Sequence, residues 1–282
     1  MAISIAISNS IGARDNAPSG GGGFVWVNSE AEAYYNAVTV ANGGDVDTVA
    51  LYGQTLNDTK QAIDTRVTDL KSALIFNKLV HDYPFFGGTS NTHAICAIDY
   101  IPELTYFGSP THSSLGMVLN GAGQYASMNN SISNEVPSTT DWAIGIDLNS
   151  STNKIMMGSR DATNIGAVIR YRLSTLIGYA TNSGLTVSPA ISSIGDSFLV
   201  LSQADELTAR LYVDSLEIST STSNGLLPTT YPSFIGAWNN IGGVVEACAG
   251  NVKFSFESAG LSPLQVTALE GINNTFQTFL GR

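Results

Sequence analysis

The sequence predicts a mostly-β chain, an antiparallel β-sandwich preceded by a helical segment and an extended arm. Three patterns predict it. From Thr89 onward apolar residues recur at every second position, as in Ala167-Val-Ile-Arg-Tyr-Arg-Leu173, where Ile169, Tyr171 and Leu173 share one face and Arg170 and Arg172 the other. Clusters of Asn, Gly, Ser and Pro interrupt these runs about every ten residues, the rhythm of hairpin-connected strands. One capped helix closes the chain.

Residues 1–24 read as an arm. Ile3, Ile5 and Ile7 alternate with small residues in the manner of a short strand, and the segment runs into Gly20, Gly21, Gly22 and Gly23. A glycine run has high backbone entropy and nothing to pack, so the arm is expected to take its order from a neighbouring subunit or partner and to anchor the protein, with an arm folded back on its own domain as the alternative.

Residues 25–88 read as a helical collar. Asn28 or Ser29 can cap a helix that ends at Asn42-Gly-Gly44, where the glycines suit a left-handed C-terminal cap. A longer helix is expected from Asp47 or Thr55 to His81. Along it Leu56, Ile63, Val67, Leu70 and Leu74 form a heptad-like stripe, which can serve self-association or pack on its own domain. Pro84 and Gly87-Gly88 stop that helix.

Residues 89–282 hold the strands. The runs are Ala94–Ile98, Leu115–Leu119, Trp142–Leu148, Lys154–Met157, Ala167–Leu173, Leu176–Tyr179, Ser197–Ser202, Thr208–Val213, Leu216–Ile218, Pro232–Ala237 and Asn251–Glu257. The closing helix is locally specified. Ser262 is its N-cap, Pro263 its first residue, and Gln265 completes an S-x-x-Q capping box. Leu261 and Val266 are placed as a hydrophobic staple.

Composition narrows the setting. The hydrophobic fraction of 43% supports a real core, while only 12% of residues are charged, about half the usual share. Ser, Thr, Asn and Gly take the place of charged residues, as in secreted adhesins and virion proteins. The net charge of −11, without a Lys/Arg cluster, excludes phosphate-backbone recognition and disfavours anionic lipid surfaces. Met1–Asn9 does not read as a signal peptide, and no run of about 18 apolar residues suggests a membrane span. Cys96 and Cys248 are expected as small buried side chains, with a bridge between first and last strands as the alternative.

Several stretches resemble a known family. Leu115–Ala126 followed by Asp141–Ile146, the hairpin Ala209–Ile218 turning at Asp214-Ser215, Phe234–Asn239 and the ending Thr278-Phe-Leu-Gly-Arg282 are similar to concanavalin A-like (laminin-G-like) jelly rolls. Asp69–Val80, Tyr83-Pro-Phe-Phe-Gly-Gly-Thr89 and His93 resemble a module of bacteriophage structural proteins that leads into such a jelly roll. The resemblance covers residues 55–282. It implies a virion protein (head fibre, spike or decoration protein) displayed on the particle surface, made in the host cytoplasm and anchored to capsid or tail by its arm. A homo-oligomer, a trimer first, and contact with host surface glycan are further implications. A bacterial glycan-binding module and a jelly-roll glycoside hydrolase are the alternatives.

The residues show no catalytic constellation, and the chain is expected not to be an enzyme. Hydrolases on this jelly roll carry an E-x-D-x-x-E or E-x-D-x-E run, which is missing, and Asp205-Glu206 are adjacent and so would point apart. His81, His93 and His112 lack zinc spacing; His81 is expected to end the long helix and His93 to open the first strand. No cofactor is expected, and calcium has no D-x-D-x-D-G loop to hold it. Glycan binding asks for an aromatic platform flanked by amides. Trp238, Asn239 and Asn240 fit that demand, with Tyr106 as a further candidate; the alternative is that Trp238 caps the sandwich core.

Overall fold

A computed structural model describes residues 24–138, 140–149, 155–161, 166–172, 175–180, 195–204, 208–222, 231–245 and 247–282. The arm residues Ile3, Ile5, Ile7 and Gly20 to Gly23 lie outside these, as do Asp205 and Glu206.

The helices are α1 (Ser29–Asn42), α2 (Thr48–Tyr52), α3 (Leu56–Ser72), α4 (Ser90–His93) and α5 (Pro263–Phe279). The first strands are β1 (Leu79–Tyr83), β2 (Thr105–Phe107), β3 (Thr111–Ser113), β4 (Gly116–Asn120), β5 (Tyr125–Ser127), β6 (Trp142–Asn149), β7 (Ile155–Arg160) and β8 (Gly166–Arg172). They are followed by β9 (Thr175–Ala180), β10 (Asp196–Gln203), β11 (Thr208–Val213), β12 (Leu216–Thr222), β13 (Phe234–Ile235), β14 (Trp238–Asn240), β15 (Gly243–Val245) and β16 (Ala249–Ser258).

Two sheets face each other as a jelly-roll sandwich. The first runs β12-β11-β10-β6-β16-β4-β3, and β1 also pairs with β16. The second joins β15, β14, β7, β13, β5 and β2, and extends from β7 through β8 to β9. Alternation sorts the side chains. On β6, Ile144, Ile146 and Leu148 enter the core between the sheets with Leu199, Leu201, Met157, Ile169 and Ile235. Ala143, and Phe198, Val200, Phe254 and Phe256 from neighbouring strands, face the other way and pack on Val266 and Leu269 of α5. Gly145 makes this packing fit, because a Cβ there would stand 2.1 Å from the Phe256 ring. The β11–β12 turn falls at Asp214-Ser215, both with positive φ (48° and 60°), as in a two-residue hairpin.

The C-terminal helix forms as its sequence dictates. Ser262 Oγ accepts from Gln265 N–H and the Gln265 side chain returns to Ser262, closing the capping box, with Pro263 in the first turn. Leu261 and Val266 are both buried in one cluster.

Three expectations are corrected. The long helix stops at Ser72, not His81, because Leu74 turns into the left-handed region (φ 57°) and the chain re-enters as β1 against the edge of β16. His81 therefore lies in a strand. The stripe Leu56, Ile63, Val67, Leu70, Leu74 is not an oligomer seam. Ile63 and Val67 pack on α1 and α5, Leu56 leans on that cluster, Leu70 joins the layer under α5, and Leu74 falls beyond the helix in solvent. Ala94–Ile98 is not a strand but the exit from α4, folded onto the rest of its loop by the Ile95–Pro102 bridge and the backbone bonds around it. His93 accordingly sits in α4, buried. Cys96 and Cys248 are buried free thiols, as expected of small buried side chains, and the alternative bridge is not formed.

Candidate functional site

The structure does not assemble the expected aromatic platform. Tyr106 stands opposite Ala126 on the inward face of its sheet, where its ring packs on the core and its hydroxyl is buried. The half-buried Trp238 ring is covered by the Arg160 guanidinium, 4.9 Å from its centroid. Asn239 is 2% exposed and structurally committed: its Nδ2 donates to Pro232 O (2.9 Å) and its Oδ1 accepts from Gly242 N–H (3.0 Å). It cannot meet a ligand without abandoning these bonds. Asn240 is half-buried with its Oδ1 already removed from solvent.

A different place gathers the chemistry that sugar hydroxyls need. Between α5 and the ends of β6, β10 and β16 opens a cleft of about 400 Å³ whose walls include Asp147, Asp196, Asp214, Glu270, Asn274 and Gln277. Each element delivers its residue for a local reason. Asp147 follows the outward register of Ala143 and Gly145 on β6, and so points at the helix instead of the core. Glu270, Asn274 and Gln277 stand three and four residues apart on α5, a polar stripe beside the apolar one made by Val266, Leu269 and Phe276. Asp214 is held in the β11–β12 turn, where its Oδ1 accepts from Phe198 N–H (2.9 Å).

Four carboxylates outnumber the two cations that also line the cleft, Lys253 and Arg282, and the cleft is partly pre-ordered. Asn273 Nδ2 donates to Asp147 Oδ2 (2.7 Å), and Gln277 Nε2 donates to Asn273 Oδ1 (3.2 Å) and Lys253 O (3.1 Å). Lys253 Nζ grips both oxygens of Asp196 at 2.5 and 2.6 Å, and Ser215 Oγ donates to Glu270 Oε2. Burial pushes the Asp147 carboxyl up to about 6, against the pull of the Asn273 bond. Burial and the nearby Asp214 also raise Glu270. A carboxyl poised near neutrality beside other carboxylates in a cleft is the arrangement of ligand and acid–base sites.

Sequence reasoning missed every residue of this cleft. The available signals were a lone carboxylate at an outward position in the otherwise apolar β6 run, and the polar i, i+4, i+7 stripe on the last helix.

The other two histidines form a pair. His93 Nε2 accepts from Gly88 N–H (3.1 Å), so its Nδ1 carries the proton and donates to His112 Nδ1 (3.0 Å). Burial lowers both, His112 to about 4. They are neutral and hold the loop after β1 against β3.

No protein-family model and no curated protein sequence matches the chain. Solved structures do. Domain 4 of AbnA, a GH43 extracellular arabinanase from Geobacillus stearothermophilus, is 15% identical with a TM-score of 0.49, over 68% of this chain and 98% of that one. A mutant of Trypanosoma rangeli sialidase is 12% identical with a TM-score of 0.49, over 77% and 39%. An HCR/D mutant is 10% identical with a TM-score of 0.51, over 70% and 52%. The chain thus spans about half or less of the sialidase and HCR/D chains. At these identities the likeness shows the fold: a mostly-β jelly-roll sandwich with few helices.

The comparison corrects one expectation. The chain was expected not to be an enzyme, yet an arabinanase domain and a sialidase are among the matching chains.

Proposed function

We propose that the chain is a glycan-binding module, and that the acidic cleft under α5 is where it takes a sugar. The observation that carries this reading is the convergence of Asp147, Asp196, Asp214 and Glu270 with Asn274 and Gln277 on one cleft of about 400 Å³. Carboxylates and amides accept from and donate to vicinal hydroxyls in pairs, and charge-assisted bonds of this kind are the stronger ones. The volume suits a ligand of one or two sugar rings. The setting proposed for the module is a bacteriophage particle, on the strength of the sequence resemblance over residues 55–282. There the arm would anchor a symmetric oligomer to capsid or tail and the sandwich would reach host surface glycan. With the α3 stripe used inside the chain, surfaces other than α3 would build that oligomer.

The test is a panel of oligosaccharides titrated into the purified chain by calorimetry. Binding that weakens roughly tenfold or more in Asp147→Asn and Glu270→Gln supports the reading, since each removes a charged hydrogen-bonding partner. Equal affinity in both variants contradicts it.

A second reading follows from the Asp147 carboxyl held up to about 6 next to Asp196, Asp214 and Glu270. A protonated acid beside an ionised carboxylate is the acid–base division of glycoside hydrolysis. Release of reducing sugar that vanishes in Asp147→Asn would establish it, and a panel without release would dismiss it.

A further inference from the structure

A second cluster lies on the other side of β16, away from the cleft. Residues 94–103 leave α4 and double back. Cys96 N–H donates to Ile101 O (3.0 Å), Tyr100 N–H to Cys96 O (3.0 Å) and Glu103 N–H to Ala94 O (2.9 Å). Tyr100 takes a positive φ of 65° to close this loop. The backbone so fixed places one donor atom each from Cys96, Asp99 and Glu103 within 4.8 Å of one another. Cys96 and Glu103 are buried, while Asp99 is exposed and leaves a way in from solvent.

His81 faces this group from β1 with its ring 0% exposed. Its Nδ1 lies 2.7 Å from Glu257 Oε2, a carboxylate in a fully buried environment. A carboxylate only accepts, so Nδ1 carries a proton. The opposite nitrogen, Nε2, makes no hydrogen bond, yet it is buried 3.5 Å from Glu103 Oε2 and 3.3 Å from Glu135 Oε2. Nε2 faces both carboxylates as the protonated edge of an imidazolium, and a divalent cation bound between them would displace that proton. A histidine oriented through its far nitrogen by a carboxylate is also how metal-ligating imidazoles are held. Tyr83 donates to Glu103 Oε2 (3.0 Å), and Asn129 Nδ2 to Glu103 O, so the shared carboxylate is itself positioned.

From this geometry we infer that Cys96, Asp99 and Glu103 form a binding site for a divalent transition-metal cation of the zinc class, with His81 at its edge beside Glu103. Thiolate, imidazole and carboxylate together are the donors of zinc and its neighbours, whereas calcium and magnesium take oxygen alone. The site would tie the 94–103 loop to β1 and hence to the central strand β16.

The test uses the full chain. It is loaded with Zn²⁺, passed through a desalting column and assayed for metal by mass spectrometry; a parallel sample is loaded with Co²⁺ and read in the near ultraviolet, where cobalt–thiolate charge transfer absorbs. One bound equivalent is expected, with a thiolate band that disappears in Cys96→Ser and persists in Cys248→Ser. Asp99→Asn, at an exposed position that leaves the core untouched, should weaken Zn²⁺ binding by roughly tenfold or more. Substoichiometric metal, a cobalt spectrum without a thiolate band, or unchanged affinity in Asp99→Asn overturns the assignment and leaves His81 as a buried imidazolium bridging carboxylates.

Discussion

Arg66 of α3 and Asp82 of β1 meet in a bidentate pair, Nη1 and Nη2 each 2.7 Å from a carboxylate oxygen, with both side chains buried. The guanidinium also lies against the Phe254 and Phe276 rings, at 5.5 and 5.7 Å. One side chain therefore joins the helical segment, the central strand β16 and the closing helix. The stretch from α3 to β1 is thereby built onto the sandwich.

Removing one partner of this pair strands the other in a dry interior. Arg66→Ala or Asp82→Ala should cost about 3–5 kcal/mol in urea unfolding. The double change Arg66→Met with Asp82→Leu should recover most of the loss, because an apolar pair of similar volume needs no charge compensation. A single-variant loss below about 1 kcal/mol would show that the pair does not hold α3 to β1.

Asp147 predicts a pH dependence. Its carboxyl is raised to about 6 in the folded chain by burial, against about 3.9 in an unfolded one. The native state thus binds this proton more tightly, so its contribution favours folding at low pH. That contribution falls as pH rises from about 4 to about 6 and is level above. The groups facing Asp147 are Asn273 and Glu270 on α5, the C-terminal Arg282, Lys253 on β16, Asp196 on β10 and Asp214 in the β11–β12 turn. Asp147→Asn should remove the fall, so that its stability relative to the parent improves by about 2 kcal/mol between pH 4 and pH 7. Parallel pH profiles in urea unfolding would refute the shift.

Asn239 predicts a separation of stability from binding. Asn239→Ala breaks the bonds to Pro232 O and Gly242 N–H and should cost roughly 1–3 kcal/mol. Sugar affinity of the folded fraction should stay unchanged, since the cleft lies under α5. A drop in affinity at unchanged melting temperature would return the site to the β14 region.

Ser262→Ala should lower stability by about 1 kcal/mol, measured by urea unfolding, through loss of the N-cap bond to Gln265 N–H. That helix is also where the sequence was most legible. Ser262, Pro263, Gln265, Leu261 and Val266 all act within one turn, so the local string contains the whole cause. The alternation of β6 and β10 and the turn at Asp214-Ser215 were readable for the same reason. β1 was not. Leu79–Tyr83 continues an apolar helical periodicity, and only the remote edge of β16, with Arg66 and Glu257 to satisfy Asp82 and His81, makes it a strand. The cleft was hidden likewise, because its carboxylates come from β6, β10, a turn and α5 and meet only in three dimensions. Trp238 misled by composition: an aromatic beside two asparagines looks like a platform until Arg160 covers the ring and Asn239 turns inward.

The most direct test of the sugar site is to map it without mutation, by amide chemical-shift changes as a bound oligosaccharide is titrated in. The account predicts changes concentrated at Asp147, Asp196, Asp214 and the α5 stretch from Glu270 to Gln277. Changes centred instead on Phe107 and Tyr125, the stacked pair at the far edge of the second sheet, with the α5 amides unmoved, would contradict it.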